Sequence, residues 1–223
     1  RFWQLAAIPP GCVDSECANA LRLTEGLPLT SAAGDRFNLF EQVAALLSNF
    51  TGGITALRLT SALFGMGLLL ALTGLARRLA NPPAALLTVA LAAIAPWAIW
   101  AARTGDPWSA AALLLATTLW LVLNAFADPT VGRWTMAGLA AGLLWGEAGA
   151  LRVAVLLSLI GAVGLGLWAA ERRQRLATPY AFGAFLAIIA PLLAPSIAAG
   201  TIFFPAGSTA APMSTLQMTL TAL

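Results

Sequence analysis

The pattern of apolar and polar positions changes near residue 55. A mixed segment precedes that point, and long apolar stretches broken by short charged loops follow it. A helix that crosses about 30 Å of hydrocarbon needs roughly 20 mainly apolar residues. Six stretches meet or approach that length: Leu57–Ala76, Ala84–Ala102, Trp108–Ala127, Trp134–Ala148, Leu151–Ala170 and Tyr180–Phe204. The fourth is short and rich in glycine, which suits a tilted, re-entrant or broken helix. Two smaller helices are expected ahead of them. Ala18–Glu25 has a helical pattern that Gly26 and Pro28 bring to a stop. Asn38–Phe50 sets Phe40, Val43, Leu47 and Phe50 on one face against Asn38, Glu41, Gln42, Ala45, Ser48 and Asn49 on the other. Beside a membrane span, such a helix either lies in the headgroup plane or packs on the protein's own outer surface.

The pattern therefore predicts an all-α polytopic membrane protein. Residues 1–55 form an outer loop with interfacial helices, 56–204 a bundle of about six transmembrane helices, and 205–223 an apolar tail. The opening at Arg1 rather than Met, and the uncharged run Met213–Leu223, read as the edges of a longer polypeptide. Composition agrees with the membrane reading: 60% of the 223 residues are hydrophobic and 9% are charged. A soluble domain carries about a quarter charged residues, so an ordinary soluble enzyme is excluded.

The charges also give an orientation. All twelve basic residues are arginine. The loops holding Arg77 and Arg78, Asp128 and Arg133, and Glu171, Arg172, Arg173 and Arg175 contain six arginines and two acids, a net +4. The rest of the chain holds six arginines and seven acids, a net −1. The positive-inside rule puts the three arginine loops in the cytoplasm and the acidic N-terminal loop outside a plasma (inner) membrane. Trp97, Trp100, Trp108, Trp134 and Trp168 fall near the ends of spans, where interfacial tryptophans belong. Gly138, Gly142, Gly146, Gly161, Gly164 and Gly166 suit close helix contacts. Scattered arginines do not make the basic stripe of a nucleic-acid binder, so no nucleic acid is expected.

Candidate chemistry is narrowed by the absence of histidine, which removes imidazole catalysis and histidine metal ligands. Cys12 and Cys17 are too few for a zinc or iron–sulfur site, and in an oxidising compartment a local disulfide is open to them. No metal is expected. Acids and arginines remain. Asp14 and Glu16, in the outer loop, are placed for general-base work on an acceptor hydroxyl. Arginines match phosphate oxygens through their planar fork. Arg103 with Asp106, and Glu147 with Arg152, form two charge clusters at the outer membrane edge, either as parts of a site or as local ion pairs closing helix ends.

The ordered series RFWQLAAIPPG, VDSE, ANALRLTEG, ALRLTSALFG, ALTGLARRLA, APWAIWAARTGD and WTMAGLAAGLLWG resembles the N-terminal half of a C-type (GT-C fold) glycosyltransferase. The branch is the protein-mannosyltransferase and aminoarabinose-transferase-like group. The resemblance implies a multi-pass helical fold, a further helix ahead of Arg1, and sugar transfer from a polyprenyl-phosphate donor at the outer leaflet. It implies Asp14 and Glu16 as the acidic pair with the catalytic base, and Arg36, Arg103, Asp106, Glu147 and Arg152 as substrate-binding residues. No cofactor is implied beyond the lipid-linked sugar itself. The chain departs from the family pattern in that Ser15 separates the two acids, GDRFNLF replaces a proline-containing basic motif, and Glu147 and Arg152 match a basic and aromatic motif only loosely.

Two readings follow. One is a membrane glycosyltransferase whose partners are membrane lipids and a polyprenyl-phosphate sugar. The other is a catalytically inactive relative that packs against other membrane subunits. A transporter with helix breaks at Pro96, Pro191 or Pro195 is disfavoured, because the centres of the spans carry almost no ionisable side chains.

Overall fold

The computed structural model describes residues 14–25, 39–101, 103, 105, 108–147, 152–168 and 172–198. Every regular element among them is a helix: α1 (Asp14–Thr24), α2 (Leu39–Ser48), α3 (Gly53–Leu79), α4 (Pro82–Ile94), α5 (Pro96–Ala101), α6 (Trp108–Ala127), α7 (Val131–Glu147), α8 (Arg152–Trp168), α9 (Arg172–Ala177) and α10 (Pro179–Ala198). Arg1–Val13, the segment with Arg36, Asp106 and the tail beyond residue 200 lie outside the described residues. The protein is an all-α membrane protein. Among the described residues, α3 and α6 are long and apolar enough to cross a bilayer on that measure alone, and α4 and most of α8 are shorter apolar helices.

Local chemistry accounts for most boundaries. With 27 residues, α3 is about 40 Å long and carries Arg77 and Arg78 in its last turn, where cations suit the helix dipole. Its successor starts at Asn81, whose side chain accepts from Ala84 N at 3.1 Å, with Pro82 and Pro83 in the opening turn. The expected span Ala84–Ala102 is broken in two. Ala95, with φ −58° and ψ 120°, leaves helical conformation because the ring of Pro96 disfavours it there. α10, in contrast, runs on through Pro191 and Pro195. The glycine-rich fourth stretch is not broken over its described residues: α7 is one 17-residue helix. Beyond the expected elements, the short α9 lies between α8 and α10.

Helices α3, α6, α7 and α10 pack side by side in that order. Small residues allow their backbones to approach. A methyl group at Gly74 would meet the Trp120 ring at 2.8 Å, one at Gly142 would meet Ile188 Cβ at 2.7 Å, and one at Gly138 would collide with the Ala181 carbonyl. Gly166 is likewise closed in by Thr178, whereas Gly161 and Gly164 face open space, contrary to the expectation of contacts there. One apolar core, with Leu114, Leu144, Trp145, Val155, Leu159, Phe185 and Ile189, joins α6, α7, α8 and α10. A second, with Ala20, Leu23, Phe40, Ala44, Ala56 and Leu57, fastens α1 and α2 to the first turns of α3. Trp134 corrects the interfacial expectation: it is fully buried, edge-on to Phe126, while Trp100, Trp108 and Trp168 are exposed.

α2 packs inward through Phe40, Ala44 and Leu47, which are spaced i, i+4 and i+7. Phe50, expected on this face, is 82% exposed instead. The helix ends at Ser48, so Phe50 sits in the following turn, with its N–H donating to Leu47 O at 3.0 Å, and leaves the helical register.

Candidate functional site where the first helix meets the bundle

Glu16 lies in the first turn of α1 and Arg58 in the second turn of α3. Arg58 Nε donates to Glu16 Oε1 at 2.6 Å and Nη2 donates to Oε2 at 3.1 Å. Both residues are buried, at 3% and 0% exposure. Two ions taken from water are tolerated when the guanidinium fork meets both carboxylate oxygens, as it does here. Gly105, in the turn between α5 and α6, closes over the pair. Its φ of +65° is a left-handed conformation that glycine adopts freely, and a Cβ there would come within 3.0 Å of Leu57 Cβ and 3.4 Å of Glu16 Oε1. One turn further along α3, Ser61 Oγ donates to Ala101 O at 2.9 Å and lies 3.2 Å from Ser109 Oγ. The starts of α1, α3 and α6 and the end of α5 are thereby locked together.

The other expected site residues divide. Asp14 is the first residue of α1 and falls in the same turn as Glu16. Arg103 sits half-buried in the α5–α6 turn, two residues before Gly105, with its N–H donating to Trp100 O at 2.9 Å. The structure thus brings Glu16 and the α5–α6 turn together. Arg36 and Asp106 lie outside the described residues. Glu147 Oε1 accepts from Phe40 N at 3.0 Å. Arg152 is buried, and its Nε donates to Trp145 O at 3.3 Å. Cys17 is disulfide-bonded, and the chain's other cysteine is Cys12.

Arg58 is the site residue that sequence reasoning passed over. It stands inside ALRLTSALFG, which reads as the apolar start of a span. An arginine within such a stretch was itself the signal, because an ionisable side chain at membrane depth needs a partner.

A groove of about 590 Å³ opens between α6, α7 and α8, lined by apolar side chains including Trp108, Leu115, Leu119, Leu144, Val155 and Leu159. Among the described residues, no three cysteine, aspartate or glutamate side chains gather as metal ligands would.

No curated protein and no solved structure matches the chain. The family model described as dolichyl-phosphate-mannose-protein mannosyltransferase does match, over residues 38–198. That range takes in α2 to α10 with Arg58, Glu147 and Arg152, and leaves Asp14, Glu16 and Arg36 ahead of it. With helices throughout, apolar segments of membrane length and a family match across most of its residues, the chain belongs to the dolichyl-phosphate-mannose-protein mannosyltransferase family, a GT-C-type glycosyltransferase family.

Proposed function

We propose that the protein transfers a sugar from a polyprenyl-phosphate donor to an acceptor hydroxyl at the outer face of the plasma membrane. The observation that carries this reading is the Glu16–Arg58 pair, which ties the acid-bearing α1 to a helix of the family-matched bundle. Arg58 occupies both oxygens of Glu16, so Glu16 anchors and Asp14 serves as the base. Asp14 takes the acceptor's hydroxyl proton as the acceptor oxygen bonds to the sugar's anomeric carbon. The bond from that carbon to the phosphate oxygen breaks, and polyprenyl phosphate leaves with the electron pair. Arg36 and Arg103 offset the charge that develops on the phosphate. The apolar groove between α6, α7 and α8 suits a lipid-handling protein.

The orientation has two independent supports: the arginine bias of the loops, and the disulfide at Cys17, which belongs to an oxidising compartment. The test is Asp14→Asn in proteoliposomes supplied with lipid-linked sugars. Transfer is expected to fall by about 10²–10⁴-fold, the range for loss of a general base, while the variant folds as the wild type does. Full activity in that variant would exclude Asp14 as the base.

One observation favours a second reading, a catalytically inactive accessory subunit. Ser15 separates the acids, and Arg58 engages one of them. Purification in gentle detergent with mass measurement of the intact assembly separates the two. A fixed ratio with unrelated membrane subunits supports the accessory role, and a lone chain carrying a polyprenyl-phosphate lipid supports the enzyme.

A further inference from the structure

Glu147 breaks a local rule. It is the last residue of α7, and a carboxylate at a helix C-terminus faces the negative end of the dipole. The compensation comes from another helix. Glu147 accepts the Phe40 N–H at the amino end of α2, a position where a helix has donors without intrahelical partners and the positive end of its own dipole. The contact spans 107 residues of sequence. Around it, Leu39 packs on the core that joins α6, α7, α8 and α10, and Phe40 is fully buried and stacked on Phe64 of α3, with ring centres 6.0 Å apart. Phe40 and Ala44 share a core with Ala20 and Leu23 of α1, the helix that begins with Asp14 and Glu16.

We infer that Glu147 is a positioning residue: its carboxylate caps α2 from outside, fastens it to α7, and through α2 steadies α1 and its acids. Glu147 therefore acts on the protein's own backbone and not on substrate. Its effect on transfer rests on the proposed transferase reading, but the fastening does not.

The test is residue-resolved hydrogen exchange on the full chain in nanodiscs, with Glu147→Ala and Glu147→Gln beside the wild type. In the wild type the Phe40 amide exchanges slowly, although the second residue of a helix ordinarily lacks a partner; fast exchange there overturns the proposal without any variant. Glu147→Ala speeds exchange across Leu39–Ala44 by about tenfold and leaves α6 unchanged, as expected for loss of a hydrogen bond. Glu147→Gln, whose amide oxygen still accepts, restores slow exchange. Unchanged exchange in Glu147→Ala, or a glutamine variant as damaged as the alanine one, overturns it. Where transfer is measurable, Glu147→Ala lowers kcat by about tenfold with donor KM nearly constant, and glutamine rescues it. A raised KM with constant kcat makes Glu147 a substrate ligand instead. Slow Phe40 exchange in a wild type that transfers nothing leaves the fastening standing and refutes the transferase reading.

Discussion

The helix row and the layer of α1 and α2 are held by opposite means. Between α3, α6, α7 and α10 the contacts are steric, with a glycine facing Trp120, Ile188 or the Ala181 backbone. Between α1, α2 and the bundle, two carboxylates make the joints, Glu16 to Arg58 and Glu147 to the α2 backbone. The difference follows from the solvent. Lipid tails are as apolar as leucine, so burial gives helices in hydrocarbon little reason to associate and close fit must do it. α1 and α2 carry polar as well as apolar residues, so apolar burial of Phe40, Ala44 and Leu23 counts there, and charged groups can fix which surfaces meet. Shape holds the bundle, and charge with burial holds the layer that carries the acids.

The comparison breaks most visibly at Arg58. Arg58→Ala takes the guanidinium away from the buried Glu16 carboxylate, which costs about 3–5 kcal/mol. Thermal unfolding in detergent should show it, and proteolysis should cut first near α1. The double variant Glu16→Leu/Arg58→Met should recover much of the loss, because an apolar pair replaces a buried ionic one at little cost. A single variant as stable as wild type would mean that the pair does not hold the layer. Gly138→Ala comes next. Its methyl collides with the Ala181 backbone, and overpacking of that kind costs about 1–3 kcal/mol, whereas Gly161→Ala, with nothing within 4 Å, should be neutral or stabilising. Equal effects at the two glycines would refute the steric account of the row. The smallest effect belongs to Phe50. Since this side chain is 82% exposed, Phe50→Ser should change unfolding stability by less than about 0.5 kcal/mol. A larger loss would place Phe50 in the protein's own packing rather than outside it.

The sequence by itself determined where most helices lie. The predicted Trp108–Ala127 is α6 to the residue, because twenty apolar positions between breakers leave little choice in a medium without water. It also placed the acids on the segment ahead of the spans, and the part of the ordered series from ALRLTSALFG onward falls within the residues that the family model matches. What it did not decide was which surfaces meet. Helical periodicity tells which side of α2 is apolar but not that the helix would be capped by a residue 107 positions away, and nothing local to Arg58 points to an acid 42 positions earlier. Proline likewise reads the same at Pro96, which breaks a helix, and at Pro191, which does not. Periodicity and local stereochemistry act within a few residues, while the partners of Glu16, Glu147 and Trp134 are set by how separate helices dock, and that information exists only in the tertiary fold.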